Sequence, residues 1–285
     1  MNFNYIKISD AIHNVNKTLY DNPMGLSTGI MPLDNAIRGL QPGLTIIAGR
    51  PSMGKSSMMA DMALSIGSSA TAVMFSIEMS AKILIERMIA NQANVSYKDI
   101  KLNIISQNQK EKIDSAVGDI SKMDIIIDES SLLTVNQIKE KMDKFVELFS
   151  PDVVMIDYLQ LMSAVTASTR QQEITEICRV LAALAKGYSI PFLVLCQLNR
   201  SVEYRENHRP RLSDLRESGS IEQDADVVLL LHRPSYYSIL ENPMAVDSGR
   251  AEIVVAKQRN GERCIVECAW NAQTMSFRDN YTEDF

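Results

Sequence analysis

The sequence predicts an α/β fold in which a mostly parallel sheet is flanked by helices and carries antiparallel strands at one margin. Three observations carry this. Short apolar runs alternate with segments whose apolar residues recur at helical spacing. The runs themselves are continuously apolar, as strands covered on both faces are. After Ala251 the pattern changes to strand-like runs broken by Asn260-Gly261, a hairpin dipeptide.

In chain order, residues 5–20 (YIKISDAIHNVNKTLY) place Ile8, Ile12, Val15 and Leu19 on one helical face. No neighbouring segment completes a hairpin, so that face needs a partner, either the chain's own core or a neighbouring subunit. Asp21 to Gly43 is dense in Gly and Pro and reads as a connection with one short helix around Leu33 to Ile37. This divides the chain into a leading segment, 1–43, and one main domain, 44–285. Then follow LTIIAG, a helix over 55–66, TAVMFS, a helix over 80–93, a polar-rich helix over 108–121, and DIIID. A helix over 134–148 carries Val135, Ile138, Met142, Phe145 and Phe149 on one face, and VVMID comes after it. A helix over 171–186 turns Ile174, Ile177, Leu181 and Leu184 inward, before FLVLCQ and DVVLLL. AEIVVAKQ, RCIVECAW and SFRDN supply the antiparallel margin.

Composition bounds the function classes. With 285 residues, 46% hydrophobic and 22% charged, the chain is long enough for one large core. No apolar run approaches the roughly 18 residues of a membrane span, and MNFNYIKISD lacks a signal-peptide apolar core, so no membrane partner is expected. Cys178, Cys196, Cys264 and Cys268 show no paired C-x-x-C spacing and are expected to be reduced core thiols of a cytosolic protein. A net charge of −6 excludes nucleic-acid affinity built on diffuse positive charge; any such contact must be local or built by assembly.

GRPSMGKS, Gly49 to Ser56, fits G-x-x-x-x-G-K-[ST] between a strand-like and a helix-like run. Glycines at 49 and 54 open backbone conformations closed to other residues, so that successive N–H groups point at phosphate oxygens. The following helix aims its positive end at the same anion. Lys55 reaches the β- and γ-phosphates and Ser56 offers its hydroxyl to Mg²⁺. The expected nucleotide contacts are Gly49, Ser52, Met53, Gly54, Lys55, Ser56 and Ser57, together with Asp157.

Polar residues just after strand runs fit ATP hydrolysis, because ligands of open α/β sheets gather at the carboxyl ends of strands. VVMID ends in Asp157, a carboxylate for the Mg²⁺ shell; the alternative is a helix cap. Glu78, after TAVMFS, is the general-base candidate; an acid favoured by the start of the next helix explains it as well. Gln197 ends FLVLCQ and can hydrogen-bond a γ-phosphate; an ordinary loop residue is the alternative. Lys257 and Arg259 stand at alternate positions of AKQRNG and can reach phosphate on an adjacent protomer, or else belong to a solvated edge strand.

GRPSMGKS, FSIEMS, IIIDESS, VMIDYLQLM, CQLNRSVE, RPRLSDLRESGSIEQDADVV and AKQRNG, in this order, resemble the C-terminal, RecA-like motor domain of bacterial and phage replicative DnaB-like helicases. The resemblance implies a RecA-like P-loop core, with Lys55 and Ser56 on ATP and Mg²⁺, and Asp157 supporting the metal. It implies Glu78 as base, Gln197 as phosphate sensor, and Lys257 with Arg259 entering the neighbouring subunit's site in a ring, usually a homo-hexamer. In DLRESG, Arg216, Glu217 and Gly219 match a loop that touches the backbone of single-stranded DNA. From Gln197 to Glu217 there are five Arg against four Asp or Glu, so affinity requires several stacked copies of the loop. Residues 5–20 resemble the linker helix that packs on the next subunit. Family members carry a helical collar that meets primase, where this chain has only 43 residues before its motor; a loader or primase is a further implied partner. The activity implied is ATP-driven 5′-to-3′ movement on single-stranded DNA. A RecA-like filament or recombination mediator, and a shortened factor that joins or inhibits a host helicase ring, are the other classes. The DLRESG and AKQRNG blocks argue against the first and intact Lys55, Glu78 and Arg259 against the second.

Overall fold

The computed structural model describes residues 8, 24–131, 133–163, 169–215 and 219–279, with the side chain of 220 excepted. The leading segment predicted as a helix over 5–20 therefore lies outside the described residues but for Ile8. Among the described residues no helix is long and apolar enough to cross a membrane.

The elements run α1 (Met31–Ile37), β1 (Gly43–Gly49), α2 (Lys55–Gly67), β2 (Ala72–Ser76), α3 (Ala81–Ala93), α4 (Tyr97–Leu102), α5 (Gln107–Ile120), β3 (Ile125–Asp128), α6 (Val135–Phe149) and β4 (Val153–Asp157). After a 3-10 turn, Leu159–Leu161, come α7 (Arg170–Tyr188), β5 (Pro191–Gln197), two further 3-10 segments (Arg200–Tyr204 and Leu212–Leu215), α8 (Gly219–Asp224), β6 (Val227–His232), α9 (Pro234–Glu241), β7 (Arg250–Gln258), β8 (Cys264–Asn271) and β9 (Ser276–Arg278). The nine strands form one sheet in the order β3-β2-β4-β5-β1-β6-β7-β8-β9. The first six in that order pair in parallel, and β6 through β9 pair antiparallel.

Alternation along each central strand fills two cores, one per face. Leu44, Ile46 and Ala48 of β1 and Val154 and Ile156 of β4 enter the core beneath α6 and α7. Ile47, Val153 and Met155 enter the opposite core, shared with α1, α2, α3 and the antiparallel strands. Ile30, Leu33, Ile37 and Leu40 belong to that second core, so the Gly/Pro-rich connection packs on the sheet from its middle onward. Helix starts follow local chemistry: capping boxes Ser106/Gln109 and Thr134/Gln137 open α5 and α6, and Pro32 sits in the first turn of α1.

Several expectations are adjusted. Helices α4, α8 and α9 are additions, each too short for a periodic signal. Phe149 is exposed because the last turn of α6 runs past the sheet, although its ring still meets that of Phe145 at 5.7 Å. Cys264 is exposed at the outer start of β8, so it is no core thiol, whereas Cys178, Cys196 and Cys268 are buried.

The antiparallel end is tied to α2 by a half-buried acid. Asp61 accepts hydrogen bonds from the Phe277 backbone N–H (2.6 Å) and the Asn91 amide (2.6 Å). Burial pushes its carboxyl up from the ordinary 3.8 to about 8, more than these donors pull it down. The unfolded chain releases this proton near pH 3.8 and the folded chain only near 8, so stability is full below 3.8 and drains across the interval. Asp61→Asn keeps an acceptor for Phe277 and has nothing to ionise. Its thermal midpoint is expected to rise above that of the parent by an amount growing from pH 5 to pH 8, to roughly 5 °C; parallel midpoint-versus-pH curves would refute the neutral acid.

Candidate nucleotide site

Parallel pairing gathers the predicted polar residues at one edge of the sheet. Gly49 stands in register with Gln197 across β1 and β5, and Ser76 with Asp157 across β2 and β4. Glu78 follows two residues after Ser76. A cleft of about 610 Å³ opens above this edge, and Gly54, Lys55, Ser56, Glu78 and Gln197 all line it.

The loop between β1 and α2 is built differently from expectation at one end. Gly54 takes φ 96°, in the left-handed region, as foreseen. Gly49 does not; the second left-handed residue of the loop is Ser52 (φ 66°). What position 49 requires is closeness: a Cβ there would come within 3.3 Å of the Met53 Cβ. Met53 is buried in the core, so it can offer a ligand only its backbone N–H, which here donates to the Arg50 carbonyl at 3.3 Å. Lys55 Nζ folds back over the loop and donates to the Gly49 and Arg50 carbonyls at 3.1 and 3.3 Å. Burial lowers the Lys55 pKa, with Asp157, Cys196 and Glu78 pulling it back up. An ammonium held over a glycine-bearing loop at the start of a helix suits an oxyanion.

Asp157 is 2% exposed, has the Ser56 hydroxyl beside it, and leaves Oδ2 buried without a partner. Burial raises its pKa from 3.8 to about 6; Ser56 opposes that rise, Glu78 adds to it, and Lys55 and Arg87 oppose it. Asp157 caps no following α-helix, since the next element is the 3-10 turn begun at Leu159. Glu78 likewise is not the acid of the next helix start: the Ala81 N–H at the head of α3 is taken by Glu129, at 2.6 Å. Ser57 is buried, its hydroxyl oxygen unpartnered. Among the described residues no group of three or more His, Cys, Asp or Glu is arranged to hold a metal, so a cation beside Asp157 and Ser56 must complete its shell with phosphate and water oxygens, as Mg²⁺ does.

The other end of the cleft was not legible beforehand. Arg233, Tyr236, Trp270 and Met275 line it. The Arg233 guanidinium lies 4.2 Å from the Trp270 ring centroid and donates to the Ser52 carbonyl at 3.0 Å. Beneath the loop, a Cβ on Gly54 would meet the Phe277 ring at 2.8 Å and Trp270 at 3.0 Å. The antiparallel margin is thus the floor of the phosphate loop.

Lys257 and Arg259 are not brought to this cleft. They sit where β7 ends beside the start of β6, with Arg259 N–H donating to the Asp226 carbonyl (2.9 Å) and its guanidinium paired with the Asp226 carboxylate (2.8 Å). Asp226 also accepts from Leu44 N–H, near the beginning of β1. Seven-residue β1 separates that point from Gly49 by about 20 Å. Nor do the two cations project together: Lys257 turns back to the Ala225 and Gln223 carbonyls at the end of α8, at 2.6 and 3.2 Å. β7 lies between β6 and β8, which removes the edge-strand alternative. Arg216 and Glu217 lie outside the described residues; Gly219 begins α8.

Gly54→Ala combines a left-handed backbone with a ring clash, whereas Ser52→Gly relieves its residue. Gly54→Ala is expected to lose about 2 kcal/mol of unfolding free energy and to weaken ATP binding at least about tenfold, with Ser52→Gly close to the parent in both, by denaturant titration and fluorescent-nucleotide binding. Equal nucleotide affinity in Gly54→Ala would deny the loop its role.

The family model described as the DnaB-like helicase C terminal domain matches residues 25–279. A replicative DNA helicase DnaB of Leifsonia xyli subsp. xyli is 39% identical over 259 residues, which cover 90% of this chain and 56% of that protein. Among solved structures, one described as an ATPase domain matches with a TM-score of 0.90 at 30% identity, covering 98% of this chain and 100% of that one. A DnaB-like replicative helicase, solved with attention to its interactions with primase, matches with a TM-score of 0.89 at 31% identity, over 97% of this chain and 69% of that one. The chain spans little more than half the length of the curated relatives it matches. With the match running from the segment before α1 to the end of β9, this chain belongs to the family of DnaB-like helicase C-terminal domains.

Proposed function

We propose that this chain is the ATP-hydrolysing motor of a replicative DNA helicase and that it works as a ring or spiral of identical copies, usually six, with each ATP held between two neighbours. The observation that carries the shared site is the separation of the two halves of the machinery. The phosphate loop lies at the head of β1, and Lys257 and Arg259 lie beside its foot, about 20 Å away along the strand. A protomer cannot turn these cations onto its own γ-phosphate, but it can offer them to the next copy.

In this reading the loop amides and Lys55 grip the phosphates, Glu78 orients and deprotonates the attacking water, and Gln197 hydrogen-bonds the γ-phosphate. The unpartnered Asp157 Oδ2 beside the Ser56 hydroxyl fits Mg²⁺, which when bound neutralises phosphate charge. Arg259 of one copy stabilises charge on the nucleotide of the next. Arg216, Glu217 and Gly219 track the backbone of single-stranded DNA, moving 5′ to 3′. The stem of that loop is anchored: Asp214, 2% exposed, binds the Arg205 guanidinium, and accepts from the Arg211 N–H at 2.7 Å. After the loop, Lys257 grips the end of α8 two residues before Arg259, a direct link between the strand-tracking segment and the finger. A primase or a loader is the further partner class.

Two experiments test this. Arg259→Ala is expected to lower DNA-stimulated turnover roughly 10³-fold. Mixed with Glu78→Ala, which brings an intact finger to an intact pocket at some interfaces, it should regain part of that activity; no recovery at any ratio would confine the site to one chain. Protons compete with Mg²⁺ for Asp157, whose pKa is raised to about 6. Apparent Mg²⁺ affinity in nucleotide binding should fall up to about tenfold per pH unit below 6 in the parent, beyond any fall in Asp157→Asn, which shares the nucleotide's own ionisation but lacks this carboxyl. Superimposable pH curves would remove Asp157 from the metal shell.

A further inference from the structure

Gln197 is the last residue of β5 and is held on one side as a strand residue is. It stands in register with Gly49, and the next N–H, of Leu198, donates to the Gly49 carbonyl at 3.2 Å. On the other side no strand among the described residues pairs with it. The β4–β5 ladder ends at the Ile156–Val194 pair, and beyond Asp157 the chain leaves the sheet into the turn Leu159–Leu161.

There the Gln160 carboxamide occupies the place of the missing strand. Its Oε1 accepts the Gln197 N–H at 3.1 Å and its Nε2 donates to the Gln197 carbonyl at 3.1 Å, the pair of bonds a neighbouring backbone supplies. Nε2 also lies 3.1 Å from the Cys196 Sγ. Gln160 is fixed in turn: its carbonyl accepts from Arg170 at 2.8 Å, and Arg170 also donates to the Met162 carbonyl at 3.2 Å. A planar amide offers an acceptor and donors together; a carboxylate of the same shape only accepts, and a methyl does neither.

We propose that Gln160 is a positioning residue for ATP turnover: its carboxamide clamps the backbone of Gln197 and so sets where the Gln197 side chain reaches in the cleft. The inference rests on the reading of Gln197 as the group that meets the γ-phosphate. Gln160 itself need touch neither nucleotide nor DNA.

The test is a double-mutant cycle on the full chain, with ATP and an oligothymidylate. Gln160→Ala and the same-volume Gln160→Glu should each lower kcat about tenfold while the KM for ATP stays within about twofold, because uniform substrate binding is untouched. Gln197→Ala should lower kcat at least as far, and Gln160→Ala/Gln197→Ala should turn over no more slowly than Gln197→Ala alone, since the clamp has nothing left to position. Losses that multiply in the double variant would overturn the inference, as would parent-like turnover in both Gln160 variants beside an impaired Gln197→Ala. Parent-like turnover in Gln197→Ala would instead remove the sensor reading itself, and the clamp with it. Gln160→Glu is the arm that does not depend on tolerating a deletion: it fills the same space and keeps the acceptor for the Gln197 N–H, while it forfeits the donations to the Gln197 carbonyl and the Cys196 Sγ and turns a negative charge toward them.

Discussion

The parallel ladder between β1 and β5 is the constraint from which the nucleotide cleft follows. It sets Gly49 beside Gln197 and, through β4 and β2, lines up Asp157 and the approach to Glu78 on the same edge. Each of these strands is buried on both faces, so a one-residue slip would exchange two complete sets of core side chains. The register is held by packing, and the polar edge inherits its precision from the apolar interior. The reversal at β7 has the complementary effect, carrying Lys257 and Arg259 back to the opposite edge.

What the sequence disclosed follows from what each feature requires. Strands covered on both faces must be continuously apolar, and VVMID or FLVLCQ could be placed by eye. The strand–loop–helix around Gly54, Lys55 and Ser56 was legible because an apolar run, a glycine-bearing turn and a helical period follow one another there. Backbone strain was less so: the left-handed turn falls on Ser52 and not on Gly49, and no residue-type rule singles out that serine. Lys257 was correctly given to a strand, yet its destination is a set of carbonyls on α8, which carry no signature in residue identity. The Trp270–Phe277 floor was invisible for the same reason, since a ring packed against a glycine Cα is a relation between distant segments. Helix α9 was missed because eight residues starting at a proline hold too few turns to show a period.

Three aspartates show how one side chain acquires three chemistries. Asp61 has burial with two neutral donors and is held as a neutral acid. Asp214 is 2% exposed, yet the Arg205 guanidinium and the Ser201 and Arg211 donors outweigh burial and hold its pKa below the ordinary value. Asp157 lies between: burial raises it, the nearby Ser56 hydroxyl opposes that rise, and its Oδ2 is left without a partner. The two structural acids each have their partners on the protein; the one at the cleft keeps an oxygen uncommitted.

The floor beneath the phosphate loop also orders events during synthesis. Asp61, on the helix that follows the loop, bonds the backbone of a residue 216 positions later, and the ring of that same residue lies under Gly54. A ribosome therefore delivers the loop and its helix long before the surface that shapes them, and the nascent chain carries the glycine-rich signature without a finished receptor. The cleft gains its floor with the arrival of the C-terminal hairpin, so its full lining exists only once the sheet is complete.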